Sequence, residues 1–272
     1  MGKNVLLIND LPGFGAVALA AVMPVLAHLG HHVYNLPTAL VSNTLDYGKF
    51  AVLDTTDYMK ETLAVWRSLG ISFDAVAAGF LASDEQADLV ASYCREARSR
   101  GALIFVDPIM GDEGHRYNGI PETRAAAMRT LVAEADLICP NYTEASLLTG
   151  RPWSPDGVDR KDMKALIDSL RELGPRSVVV TSVRVDGKDA VAGYDGESGA
   201  YFVRPFVPVP VRFPGTGDIF SAVLLGHVLS GRALPEASAA AMDAVAALME
   251  RNKHNADPFR GIPLETCMEV ID

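Results

Sequence analysis

Two kinds of hydrophobic pattern alternate along this chain. Val5–Ile8, Val33–Leu36, Ala75–Ala78, Leu103–Val106, Leu137–Cys139 and Val178–Thr181 are short, nearly continuous apolar runs. Runs of that length with few polar interruptions predict strands covered on both faces, as in a parallel sheet. Between them, apolar residues recur every three or four positions, which predicts helices near Val17–Leu29, Tyr58–Leu69, Asp84–Arg100, Glu122–Ala133, Glu144–Thr149 and Lys161–Leu173. Ser83 and Gln86 have capping-box spacing at the third of these. Val191–Tyr194 and Tyr201–Arg204 flank the turn Asp195–Gly199 and read as a hairpin. Two more helices close the chain, one after Gly217 and one near Leu234–Asn252.

This order, with no repeat, low-complexity tract or linker, predicts one α/β domain over 1–272. Its three layers would place helices on both faces of a doubly wound, mostly parallel sheet. Ligands of such sheets bind beyond the carboxyl ends of the strands. Here those ends read Asn9-Asp10, Pro37-Thr38, Gly79-Phe80, Asp107-Pro108, Pro140-Asn141 and Thr181-Ser182.

Composition narrows the function. Lys and Arg number 24 against 34 Asp and Glu, for a net charge of −10. The charges are scattered, without the basic stripe that a nucleic-acid or anionic-membrane surface needs. Cys94, Cys139 and Cys267 are too far apart for a CxxC metal pair or a disulfide framework. The longest apolar stretch, Val17–Ala27, is short of a bilayer span and contains Pro24. The opening residues do not read as a signal peptide. A soluble, cytoplasmic protein is expected.

Four segments carry candidate chemistry. In "GTGD", the amides of Gly215, Thr216 and Gly217 at a helix start can face an anion with no side chain in the way. Asp218 could then accept a proton from a hydroxyl attacking that anion; the plainer reading is an acid complementing the helix dipole. "DPIMGD" places Asp107 at a strand end and Asp112 in a glycine-bearing loop, which suits a Mg²⁺–phosphate neighbourhood. In "PNYTE", Asn141 and Glu144 have capping-box spacing, and a cap does not exclude a metal-water ligand. "GFGAVA" matches the dinucleotide fingerprint. However, Asp10-Leu11-Pro12 lengthen its turn, and "HVYNLPT" lacks the acid that would hold a ribose. No GxxxxGK[ST] is present. The histidines have no metal spacing, and only His115, in the loop after Asp112, lies where it could meet phosphates.

Together these segments resemble the ribokinase-like superfamily, and within it the pyridoxal/pyridoxamine kinase branch. The resemblance rests on "INDLPGFG", "LPTALVSNT", "DPIMGDEG", "PNYTEASLLTG", "VVVTS" and "FPGTGD", in that order over nearly the whole chain. It implies a ribokinase-like fold, and the short connection after Ile8 leaves no room for a separate β-sheet lid domain. The implied reaction is ATP-dependent phosphorylation of the 5′-hydroxymethyl group of a vitamin B6 vitamer. Asp218 would be the base, and Gly215, Thr216 and Gly217 the anion hole. Asn141 and Glu144 would organise Mg²⁺ and ATP through water, with Asp107 beside Glu144 at the metal. Asp107, Asp112, Thr181 and Ser182 would line the phosphate channel. Asp10, Ser42, Tyr47 and Phe80 would lie near the pyridine ring. Residues 111–119, with Gly111, Gly114, His115 and Tyr117, would form a flap. The resemblance also implies a homodimer and allows a monovalent cation.

The chain departs from the branch in its ring-pocket motif. In "SNTLDYG", Thr44 stands at the usual histidine position and Leu45 at the threonine one, and Pro12 replaces a serine. Hydroxymethylpyrimidine kinases share "DPIMGD" and "GTGD" and are the second reading. Their polar first loop is not matched by "GFGAVALAA". A non-catalytic vitamer-binding protein and an NAD(P)-binding oxidoreductase are the more distant readings.

Overall fold

The computed structural model describes residues 2–117 and 120–271. The chain forms two compact units, Met1–Ala82 with Pro208–Asp272, and Ser83–Val207. The first opens with β1 (Asn4–Pro12), α1 (Ala18–His28), β2 (His32–Val41), β3 (Val52–Asp54), α2 (Thr56–Ser68) and β4 (Ala75–Ala78). β1 lies between β2 and β4 and runs parallel to both, which is why Val5–Ile8 is buried throughout. β3, which the pattern did not predict, adds an antiparallel edge to β2. All three of its residues are exposed, so it has no buried face to leave a hydrophobic signature.

The second unit holds α3 (Asp84–Ser99), β5 (Leu103–Val106), β6 (Gly111–Asp112), β7 (His115–Arg116), α4 (Arg124–Val132), β8 (Leu137–Ile138), α5 (Tyr142–Thr149), α6 (Arg160–Arg171), β9 (Ser177–Val185), β10 (Lys188–Asp195) and β11 (Ala200–Pro205). Its sheet runs β5-β8-β9-β10-β11, parallel as far as β9 and antiparallel from there. Side-chain caps start α3 and α6: Ser83 accepts from Gln86 N at 3.2 Å, and Asp159 accepts from Asp162 N at 2.7 Å.

One strand end moved. Thr181-Ser182, expected at a carboxyl end, is instead followed by three more strand residues leading into a β9–β10 hairpin. Asp186 and Gly187 turn it with φ of 51° and 76°, the left-handed pair that an Asp-Gly hairpin favours.

The chain then returns to the first unit as α7 (Thr216–Leu229) and α8 (Leu234–Asn252). α7 packs against α1 and α8, and Ile219 to His227 are buried without a break. A helix enclosed on all sides reads as a continuous apolar run, which accounts for "IFSAVLLG". Thus both units are layered, mostly parallel α/β structures without a lid domain.

Candidate functional site

In the first unit the loop before α7 sets the geometry. Gly215 is its N-cap, at φ 83°, and a Cβ there would lie 2.5 Å from the Ala16 carbonyl oxygen. Neither the conformation nor the space admits a side chain. The first helical hydrogen bond runs from Ile219 N to Gly215 O at 3.0 Å. The amides of Thr216 and Gly217 therefore come before the helical ladder and point out of its start. Gly217 differs from Gly215, because no protein atom lies within 4 Å of where its Cβ would be. Its own fold does not demand a glycine there.

Asp218 does not cap its own helix. Its Oδ2 accepts from Ala18 N at 2.9 Å. Ala18, at φ 47°, is a non-glycine residue held in the left-handed region. Such a conformation costs on the order of 1–3 kcal/mol and persists only where its surroundings impose it. The strain therefore sits on the amide that meets Asp218. Burial pushes the Asp218 carboxyl up to about 6, although the Ala18 amide and Asn9 pull it down. Asp10 is pushed further, to about 7, first by burial and then by the charge of Asp218, while its own backbone amide pulls it down. The first unit therefore holds two interacting carboxyl groups that titrate near neutrality.

The expected ring-pocket residues divide into two groups. Phe80 joins Asp10: its amide and that of Asp10 both donate to Asn9 Oδ1, at 2.8 and 2.9 Å, and its carbonyl accepts from Thr38 at 2.8 Å. Ser42 is exposed, and its hydroxyl is engaged with Asn43 and the Ala51 amide. Tyr47 belongs to an aromatic group absent from the sequence reading. Its ring lies 5.9 Å from Phe14 and 5.8 Å from Phe259, and its hydroxyl donates to Asp257 at 2.6 Å. Thr44 is buried and donates to the Phe259 carbonyl at 2.8 Å, while Ala16 N bonds to Arg260 O at 2.8 Å. Residues 257–261 thereby tie the glycine loop to the 42–47 segment. A contact made over two hundred residues leaves no local pattern to read.

In the second unit Glu144 is the central group. Asn141 and Glu144 complete a reciprocal capping box on α5, with both bonds at 2.9 Å. The other Glu144 oxygen accepts from Met110 N at 2.9 Å, and Asn141 Nδ2 donates to Gly111 O at 2.7 Å. The box thus also anchors the loop that follows Asp107. Burial, and then the charge of Asp107, hold the Glu144 carboxyl well above the usual range.

Gly111–Asp112 and His115–Arg116 pair as a hairpin turned by Glu113 and Gly114, at φ 50° and 82°. The Glu113 amide donates to Asp112 at 2.9 Å, and the Gly114 amide donates to Thr143 at 2.8 Å. His115 is exposed on the hairpin, and Tyr117 N closes it onto Met110 O at 3.0 Å. Asn118 and Gly119 of the expected flap lie outside the described residues. Thr181 N reaches Pro140 O at 3.0 Å, and Ser182 follows it at φ 52°.

Among the described residues no group of three His, Cys, Asp or Glu is placed to hold a metal on its own. The Asp107–Glu144 pair nevertheless suits Mg²⁺, which typically takes one or two carboxylates and leaves the remaining positions to water and phosphate. Glu144 is already committed to two backbone amides, so it fits a metal through water better than directly.

The protein resembles known ones over nearly its whole length. The family model described as phosphomethylpyrimidine kinase matches residues 15–261. A Rubrobacter xylanophilus protein named pyridoxal kinase PdxY is 31% identical, over 92% of this chain and 88% of its own. A Bacteroides thetaiotaomicron protein described as a candidate phosphomethylpyrimidine kinase, solved in a crystal form with pyridoxal, is 33% identical. It superposes with a TM-score of 0.92 over 100% of this chain and 96% of its own. Pyridoxal kinase from Lactobacillus plantarum is 28% identical, with a TM-score of 0.88 over 99% and 96%.

Proposed function

The chain belongs to the phosphomethylpyrimidine kinase family, in its pyridoxal kinase branch, and from that premise we propose that it phosphorylates the 5′-hydroxymethyl group of a B6 vitamer with ATP. The observation that carries this reading is the Asp218 carboxylate. It stands at the mouth of α7 beside the Thr216 and Gly217 amides, and its hydrogen bond comes from Ala18 N rather than from its own helix start. With a pKa near 6 it is largely ionised at neutral pH, yet basic enough to accept a proton.

Asp218 takes the proton of the hydroxymethyl group as that oxygen attacks the γ-phosphorus in line. The Gly215–Gly217 amides and the positive end of α7 stabilise charge on the phosphoryl oxygens, which in phosphoryl transfer supplies most of the rate together with positioning. Asp10 and Phe80 hold the ring, with Ser42 and Tyr47 on its approach. Asp107 and Glu144 would hold Mg²⁺ through water, and the ion supplies neutralising charge on the ATP phosphates. Asn141 fixes Glu144, while Asp112, Thr181 and Ser182 line the phosphate path. The hairpin bearing Gly111, Gly114, His115 and Tyr117 is the flap. We take 1–272 to work as one kinase domain, as a homodimer in the cytoplasm, where three buried free cysteines persist.

The family model's own description favours one other substrate, hydroxymethylpyrimidine or its phosphate. A coupled ADP-release assay with pyridoxal, pyridoxamine, pyridoxine and hydroxymethylpyrimidine decides between them. Turnover with at least one B6 vitamer is expected, and turnover with the pyrimidine alone would overturn the assignment.

A further inference from the structure

We infer that Trp153 is a positioning residue: its indole is the seat on which the β6–β7 hairpin docks, and through that hairpin it holds Asp112 on the phosphate path. The inference rests on the kinase reading and deepens it. β6 and β7 are two residues each, and a hairpin so short has little stability of its own. Its residues 111–116, Gly-Asp-Glu-Gly-His-Arg, include no apolar side chain, and His115 and Arg116 are both exposed. The hairpin therefore has nothing of its own to bury, and its place depends on what it rests against.

That support is α5 and the loop behind it. At the base of the hairpin, Asn141 donates to Gly111 O and Met110 N donates to Glu144. At its turn, Gly114 N donates to the Thr143 hydroxyl. The chain leaves α5 at Gly150, φ 72°, and three residues later Trp153 meets the same turn. A Cβ on Gly114 would lie 2.6 Å from Trp153 Cε3 and 2.8 Å from Cζ3, so the turn's backbone packs directly on the six-membered ring of the indole. Tyr142, buried at the start of α5, lies behind that ring, with centroids 6.3 Å apart and planes 32° apart. Asn141, Tyr142, Thr143 and Glu144 thus all serve one seat. The turn is held by one hydroxyl and by the indole, and the indole supplies the contact area.

Trp153→Ala and Trp153→Phe separate seating from general packing. In Trp153→Ala, hydrogen exchange at the Gly114 and Tyr117 amides should speed up about tenfold or more, while α5, α6 and β9 keep wild-type protection. A side chain that merely filled the interior would loosen those elements as well. KM for ATP should rise on the order of tenfold with kcat lowered less than about threefold, because the flap meets the phosphates in the ground and transition states alike. KM for the vitamer should not change. Trp153→Phe keeps a flat ring under the turn and should recover most of both losses. If the wild type phosphorylates no vitamer, the kinase reading falls while the exchange still decides the seat.

Wild-type exchange at Gly114 and Tyr117 in folded Trp153→Ala would overturn the inference. So would a loss of protection spread evenly over α5 and α6, or an unchanged KM for ATP in an active variant. Should Trp153→Ala not fold, the wild type itself decides by nuclear Overhauser contacts. Contacts from Gly114 Hα to Trp153 Hε3 and Hζ3 are expected, and their absence would contradict the proposal.

Discussion

Asp10 and Asp218 are two carboxyl groups in one environment, and each bears on pH dependence. Burial holds the folded-state pKa of Asp10 at about 7, whereas an unfolded chain loses that proton near 3.8. Between those limits the folded protein binds the extra proton. Its stability is therefore fully present below about 3.8 and is lost as pH rises through 7. Asp10→Asn removes the dependence. Urea unfolding at pH 5 and pH 8 should show the variant gaining on the wild type as pH rises, on the order of a few kcal/mol at most. Equal gains at both pH values would contradict this. The local sequence showed these acids at strand and helix starts. It could not show that Ala18 would be strained toward Asp218, nor that the Asn9 side chain would accept from both Asp10 N and Phe80 N. Both facts depend on loops meeting across the first unit.

The start of α7 offers a sharper contrast between fold and function. Gly215→Ala places a side chain in the left-handed region and against the Ala16 carbonyl. At about 1–2 kcal/mol for conformation alone, with the clash added, the melting temperature should fall by several degrees. Gly217→Ala meets no atom and enters a helix, so it should stabilise by up to about 1 kcal/mol. It should nonetheless lower kcat, since the new methyl group stands where the phosphoryl group would approach. Calorimetry and initial rates on the same preparation test both substitutions, and an active, stabilised Gly217→Ala would remove the anion hole from the account. A long element such as α7 was legible because its unbroken burial leaves a long apolar run. The hairpin of β6 and β7 was not, since two-residue strands have no period, and neither was the exposed edge β3. The β9–β10 turn had a signal in Asp186-Gly187 that the strand pattern alone passed over.

At the scale of the whole molecule, six ordered segments carried more than any one of them. Glycine-Thr-glycine-Asp and Asn-x-x-Glu are each ordinary helix starts, and Glu144 is indeed a capping residue in the structure. Asp10, Asp218 and Glu144 are all held above their usual pKa by burial, so their effects on stability have one sign. Asp10 and Asp218 should cost the protein stability as pH rises through 6 to 7, an effect that His227, whose pKa burial lowers, opposes in the same window. Mg²⁺ with ATP should offset part of that loss by binding the folded state alone. A thermal shift larger with Mg²⁺–ATP than with ATP and a chelator is expected, and equal shifts would remove the metal from Asp107 and Glu144.

The central claim is that Asp218 is the base of a vitamer kinase, and kcat of Asp218→Asn against the wild type, with pyridoxal or pyridoxamine at saturating ATP, tests it most directly. The account predicts a loss of at least about 10²-fold with ATP affinity nearly intact. A variant turning over at close to the wild-type rate would contradict it.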